Sequence, residues 1–136
     1  MTPISVNLSP LTYSSDSSNI AVKASFKNEA KSTCYEVPGY LLMEDNNPHG
    51  RLQINNKLTG EKPEYLGPKI KIQPSYVAIQ PGETKDFEVS LQDYDLKKGE
   101  TYGVKYLSSL TYYECGKLQS SPYTGFTESN IIDIKV

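Results

Sequence analysis

The stretch whose reading decides the fold is Ile79–Leu91, "IQPGETKDFEVSL". It opens on Pro81-Gly82-Glu83. That is a turn signal, because Pro presets its φ and Gly reaches backbone angles that other residues avoid. The stretch then alternates, with Phe87, Val89 and Leu91 on one side and Asp86, Glu88 and Ser90 on the other. A period of two marks a strand with one buried and one wet face. Phe87, Val89 and Leu91 are therefore expected in a core, and the stretch is expected to support a scaffold rather than touch a ligand.

The same period recurs in both directions. Ile4, Val6 and Leu8 alternate with Ser5 and Asn7; Ile20, Val22, Ala24 and Phe26 alternate with Ala21, Lys23 and Ser25. Leu52 and Ile54, Ile70 and Ile72, Tyr102, Val104 and Tyr106, then Ile132, Ile134 and Val136 repeat it, and Tyr40 to Met43 is a short continuous apolar run. Each is expected to be a strand, and no window shows helical periodicity. Turn residues separate them at Ser14 to Asn19, Asn46 to Gly50, Pro81-Gly82 and Asp95 to Gly99. The expected fold is all-β, an immunoglobulin-like antiparallel β-sandwich of about seven to eight strands. With 136 residues, one domain over 1–136 is expected. In "LKKGETYGVKY" (Leu96–Tyr106), Tyr102 follows a Gly loop and precedes the inward Val104. Sandwich domains often bond a Tyr at this point back to the corner backbone.

Composition narrows the function classes. Tyr contributes 11 residues against 3 Phe and no Trp; its apolar ring and polar tip suit strands and half-wet surfaces. Net charge is −2 with acidic and basic residues interspersed, so the clustered positive field of a nucleic-acid binder is missing. No apolar run approaches the ~20 residues of a membrane span. Met1-Thr2-Pro3 leads straight into a strand-like segment, which a mature secreted domain with an added initiator Met and a cytosolic protein would both show.

Catalytic chemistry finds little to build on. His49 is the single histidine and lies in the turn "NNPHG". There is no HExxH motif and no His pair at metal spacing. The nine glycines are isolated, so no phosphate loop forms. The "DYD" of Asp93–Asp95 lacks the further oxygen ligands of a calcium loop. Asn7-Leu8-Ser9 fits the N-glycosylation pattern but falls inside an expected strand. A non-enzyme without metal or cofactor is the expectation.

Two cysteines remain. Cys34 follows the Ile20–Phe26 strand and Cys115 follows the Tyr102–Tyr106 strand. The loops after these two strands share one end of an immunoglobulin-like sandwich, so a Cys34–Cys115 disulfide is expected, buried free thiols being the alternative. Closing about 80 residues would stabilise by about 4–5 kcal/mol in the loop-entropy model, and the bond would imply an oxidising compartment.

The centre of the chain resembles a known family. Tyr65-Leu66-Gly67, the Pro-Gly-Glu turn and strand of Ile79–Leu91, Tyr94-Asp95-Leu96, and Gly99 to Tyr106 are similar to the non-catalytic β-domain that precedes the protease domain of deuterolysin-like (aspzincin) metallopeptidases, including the peptidyl-Lys endopeptidases. The resemblance covers roughly Leu52 to Leu107. It implies a secreted or periplasmic β-domain that lies against a peptidase. The HExxH helix of the family has no counterpart in this sequence, so none of its catalytic or zinc-binding residues carries over. The implied role is a protein-binding domain, a peptidase inhibitor or a prodomain-like partner.

A site for such binding is expected around Cys115. "SSLTYYECGKLQSSPYTGFTES" (Ser108–Ser129) reads as a long connection, and compact domains rarely keep one without a use. It carries Tyr112, Tyr113, Tyr123 and Phe126; "CYEVPGY" (Cys34–Tyr40) adds Tyr35 and Tyr40. Tied by the cysteines, these would form an aromatic loop tip, rigid before it binds. The alternative is that the flanking strands extend into a long hairpin with the rings packed on the sheet. The partner is expected to be a protein, such as a secreted peptidase; a carbohydrate- or cell-surface-binding module is the other reading.

Overall fold

The computed structural model describes residues 2–12, 20–42, 51–67 and 75–136, with Thr12 and Tyr40 described by backbone alone. Nine strands are present among them: β1 (Ile4–Thr12), β2 (Ile20–Asn28), β3 (Tyr35–Pro38), β4 (Leu52–Asn56), β5 (Tyr76–Ile79), β6 (Thr84–Ser90), β7 (Thr101–Glu114), β8 (Tyr123–Glu128) and β9 (Ile132–Lys135). They form two antiparallel sheets, one of β1-β2-β6 and one of six strands built on β7. The alternating residues meet between the sheets as one buried cluster that includes Ile4, Val22, Phe26, Val89, Val104 and Tyr106. This is the β-sandwich that the alternation predicts.

The stretch Ile79–Leu91 behaves as expected. The Glu83 N–H donates to Gln80 O at 2.9 Å, with Pro81 and Gly82 between them and Gly82 at φ 76°. Pro second and a positive-φ Gly third describe a type II turn. Val89 and Leu91 are buried, while Phe87 is half-buried and set edge-on to Phe26 at 6.1 Å. At the other turn, the Lys97 N–H donates to Tyr102 Oη at 2.9 Å, so Tyr102 does bond back to its corner.

β7 organises the larger sheet. β4 and β9 both pair with Tyr102–Val104, and therefore flank β7 on opposite sides. β8 continues the line of β9 along β7. Two residues of β7, Lys105 and Tyr106, face three residues on the other side, Ser129 to Ile131. One extra residue on one strand is a β-bulge. The bulge turns Ser129 inward, where its Oγ accepts from the Tyr106 N–H at 2.8 Å. It also lets the Asn130 side chain reach the other sheet, accepting from Leu8 N–H at 2.8 Å and donating to Leu8 O at 3.0 Å. Thr127 Oγ1 donates to Ile4 O at 3.1 Å. Side chains thus stitch β1 to β8 and β9, as a further row of backbone bonds would.

Three expectations change. Tyr40 to Leu42 do not form a strand: the strand ends at Pro38 and a 3₁₀ turn, Gly39–Leu42, follows. Leu41 and Leu42 plug the core, and Leu41 O accepts from Tyr106 Oη. A short apolar run reports burial, which a turn satisfies as well as a strand does. Ser108–Ser129 is not a long loop. β7 and β8 run as a hairpin in register from Leu107↔Glu128 to Tyr112↔Tyr123, which leaves a connection of residues 115–122. The third concerns count: β5 (Tyr76–Ile79) and β8 (Tyr123–Glu128), neither expected as a strand, bring the described strands to nine. The expected strand at Ile70 and Ile72, Met43 and the turn with His49 lie outside the described residues.

Candidate functional site

Cys34 and Cys115 are bonded, with Cα atoms 5.4 Å apart. Cys34 precedes Tyr35 and Cys115 follows Glu114, the residue paired with Tyr35, and the Cys115 N–H donates to Cys34 O at 3.0 Å. The bond therefore fastens β3 to β7 within one sheet. It is not a bridge between sheets.

Beside it stand three of the expected tyrosines. Tyr112 and Tyr123 are cross-strand partners, and their rings stack with centroids 5.3 Å apart at 22°. Tyr35 meets Tyr112 edge-on at 5.3 Å and Tyr123 at 6.4 Å. Tyr112 is buried under this group, whereas Tyr123 is 49% exposed. Burial pushes the Tyr112 hydroxyl up, and the neighbouring Tyr35 and Tyr123 add to the shift. Aromatic pairs of these geometries contribute about 0.5–1.5 kcal/mol each beyond area burial.

The group lies past the end of the smaller sheet. Thr2 Oγ1 reaches Phe126 O at 3.2 Å, and Tyr123 stands three residues further along β8, about 10 Å on at strand rise. The 115–122 connection closes the tip, with Gly116 at φ 80°. Lys117 Nζ contacts Glu114 Oε2 at 2.8 Å, and Tyr123 Oη donates to Glu114 Oε1 at 3.4 Å. The hydrogen bond and charge of Lys117 hold the Glu114 carboxyl below its usual range. Glu114 thus links the connection to the ring group, a role that an isolated Glu in a tyrosine-rich stretch does not announce.

Asn28 is the other residue the sequence reading missed. It is fully buried at the same end. Its Nδ2 donates to Thr33 O at 2.8 Å and Ile79 O at 2.9 Å, and its Oδ1 accepts from Ala30 N–H at 2.9 Å. Gly82 N–H also donates to Asn28 O at 2.9 Å. The residues before Cys34 and the end of β5 therefore converge on its side-chain amide, and the Pro81-Gly82 turn on its main-chain carbonyl. An Asn closing an alternating run reads in sequence as a turn residue, so only its burial reveals this.

The remaining expected residues go elsewhere. Tyr113 follows Tyr112 on β7, so it faces the opposite side of the sheet, where its ring meets Tyr76 at 5.9 Å. Phe126 pairs with Ser109 and is 73% exposed, away from the tip rings. The Tyr40 side chain lies outside what is described. At the opposite end, Ile20, Leu91, Tyr94, Leu96 and Val136 line a shallow hollow of about 330 Å³. No helix among the described residues is long and apolar enough to cross a membrane.

A scan against protein-family models gives no match for this chain, and a search of curated proteins gives none either.

Proposed function

We propose that the protein is a non-catalytic binding domain whose tip of Tyr35, Tyr112 and Tyr123 docks on a protein partner. The observation that carries this reading is the coincidence of the ring group with the disulfide. The exposed Tyr123 ring stacks on the buried Tyr112 ring of β7, and Cys34–Cys115 fastens β7 to β3, which carries Tyr35. Binding surfaces rely on rigid, amphipathic Tyr anchors, because little rotamer freedom is lost on contact. The resemblance of Ile79–Leu91 and its neighbours to the β-domain of deuterolysin-like metallopeptidases supplies the partner class, a secreted metallopeptidase that this domain inhibits or accompanies. A disulfide suits the oxidising compartment in which such an enzyme works, so the domain is read as secreted or periplasmic.

The test is a binding titration of a purified deuterolysin-like metallopeptidase, with peptidase activity read in parallel. Saturable binding that weakens at least roughly tenfold in Tyr123→Ala supports the reading. Absence of binding, or equal affinity of the variant, removes it. Exposed rings also suit sugar stacking; a glycan array on which the protein binds, with signal lost in Tyr123→Ala, would favour the carbohydrate-binding reading instead.

A further inference from the structure

The outer face of the same sheet carries an arrangement that the tip does not use. There β3 lies between β5 and β7. Tyr76 stands on β5 opposite Pro38, and Tyr113 stands on β7 opposite Glu36. The two rings meet across β3, with centroids 5.9 Å apart and planes at 77°. Glu36, flanked by Tyr113 on one strand and Ala78 on the other, lies at this ring pair. One of its carboxylate oxygens is closed off from solvent and accepts no hydrogen bond, while the other is not closed off in this way. Tyr76 is 46% exposed, so the ring pair is reachable from solvent.

Each feature selects the same ligand. With one oxygen shielded from water and unpartnered, the carboxylate is less well solvated than one with donors around it, so a donor at its other oxygen, such as an N–H of a cation, is favoured. Tyr rings carry negative faces that attract a cation placed over them. Two rings near a right angle, with a carboxylate beside them, offer the head of a cationic side chain both kinds of contact at once. A neutral or anionic ligand would leave the carboxylate as it is or repel it. We propose that Glu36, Tyr76 and Tyr113 form a binding site for the cationic end of a lysine or arginine side chain on a partner protein. The site shares no side chain with the Tyr35–Tyr112–Tyr123 tip and stands independently of the reading given to that tip.

The experiment is an NMR titration of the full chain at constant ionic strength, following the Tyr76 and Tyr113 rings and the Glu36 carboxyl carbon. The probes are N-acetyl-lysine methylamide, N-acetyl-arginine methylamide and the uncharged N-acetyl-norleucine methylamide. Saturable shifts are expected with a cationic probe and not with norleucine, and the stronger of the two cations identifies the side chain preferred. Affinity should fall roughly fivefold in Glu36→Gln and in Tyr76→Ala. Tyr76 is exposed enough that its truncation leaves the fold intact, so that variant decides the matter should Glu36→Gln misfold. Three outcomes would overturn the proposal: no saturable shift with either cation, equal shifts with norleucine, or a folded variant that binds as tightly as the unaltered chain.

Discussion

Asn28 holds the tip end from within: its amide reaches Thr33 O and Ile79 O, and its carbonyl accepts from Ala30. Replacing it with Ala would remove these bonds and leave buried backbone groups unpaired. Asn28→Ala should therefore lower stability by about 3 kcal/mol, read as a lower urea midpoint with unchanged slope. Tyr106 gives a second test at this scale. Burial pushes its hydroxyl up to about 12 from an ordinary 10.0. Between those values the unfolded chain has released a proton that the folded chain keeps, so folding weakens as pH rises. The stability held below pH 10 should fall by about 3 kcal/mol by pH 12, seen as denaturation midpoints that drop across that window. Tyr94 and Tyr112 are shifted in the same direction and would steepen the fall.

Among the elements, the β7–β8 hairpin and its disulfide carry the most consequence. Cys34 and Cys115 are 81 residues apart in sequence, and a loop of that length is worth about 4.5 kcal/mol in the chain-entropy model. The double variant Cys34→Ser, Cys115→Ser should lose stability of that order by chemical denaturation. It should also lose the ring-to-ring NOEs among Tyr35, Tyr112 and Tyr123, while the β1-β2-β6 sheet keeps its NOE pattern. Unaltered tyrosine NOEs would show that the bond does not order the tip. Strands were legible wherever one face is buried, because alternation records burial directly: Val22, Ala24 and Phe26 face in, and Lys23 and Ser25 do not. The hairpin was only half legible. Tyr112 and Tyr113 look alike in sequence, and only a strand running through both separates one to the tip and the other to the Tyr76 face. The 3₁₀ turn at Gly39–Leu42 was not legible, since Tyr-Leu-Leu states that it is buried and leaves its geometry open.

At the scale of the molecule, the parts cited for the fold and for the function turn out to be neighbours. Ile79 pairs with Tyr35, and Gly82 bonds to Asn28. The turn that opens Ile79–Leu91 therefore sits at the tip end and helps to frame it, while Phe87 to Leu91 run back into the core. The meeting of the cysteines was legible because strand order fixes which loops share an end. The position of the Pro-Gly turn beside them follows from the same order. The contribution of Asn28 was not, because it depends on three chain segments converging in space. The most direct test of the tip as binding end is a cross-saturation NMR footprint of the oxidised protein with a deuterolysin-like metallopeptidase bound. The expected footprint covers Tyr35, Tyr112, Tyr123 and the 115–122 connection; a footprint on the outer face of the β1-β2-β6 sheet, or no footprint at all, would contradict it.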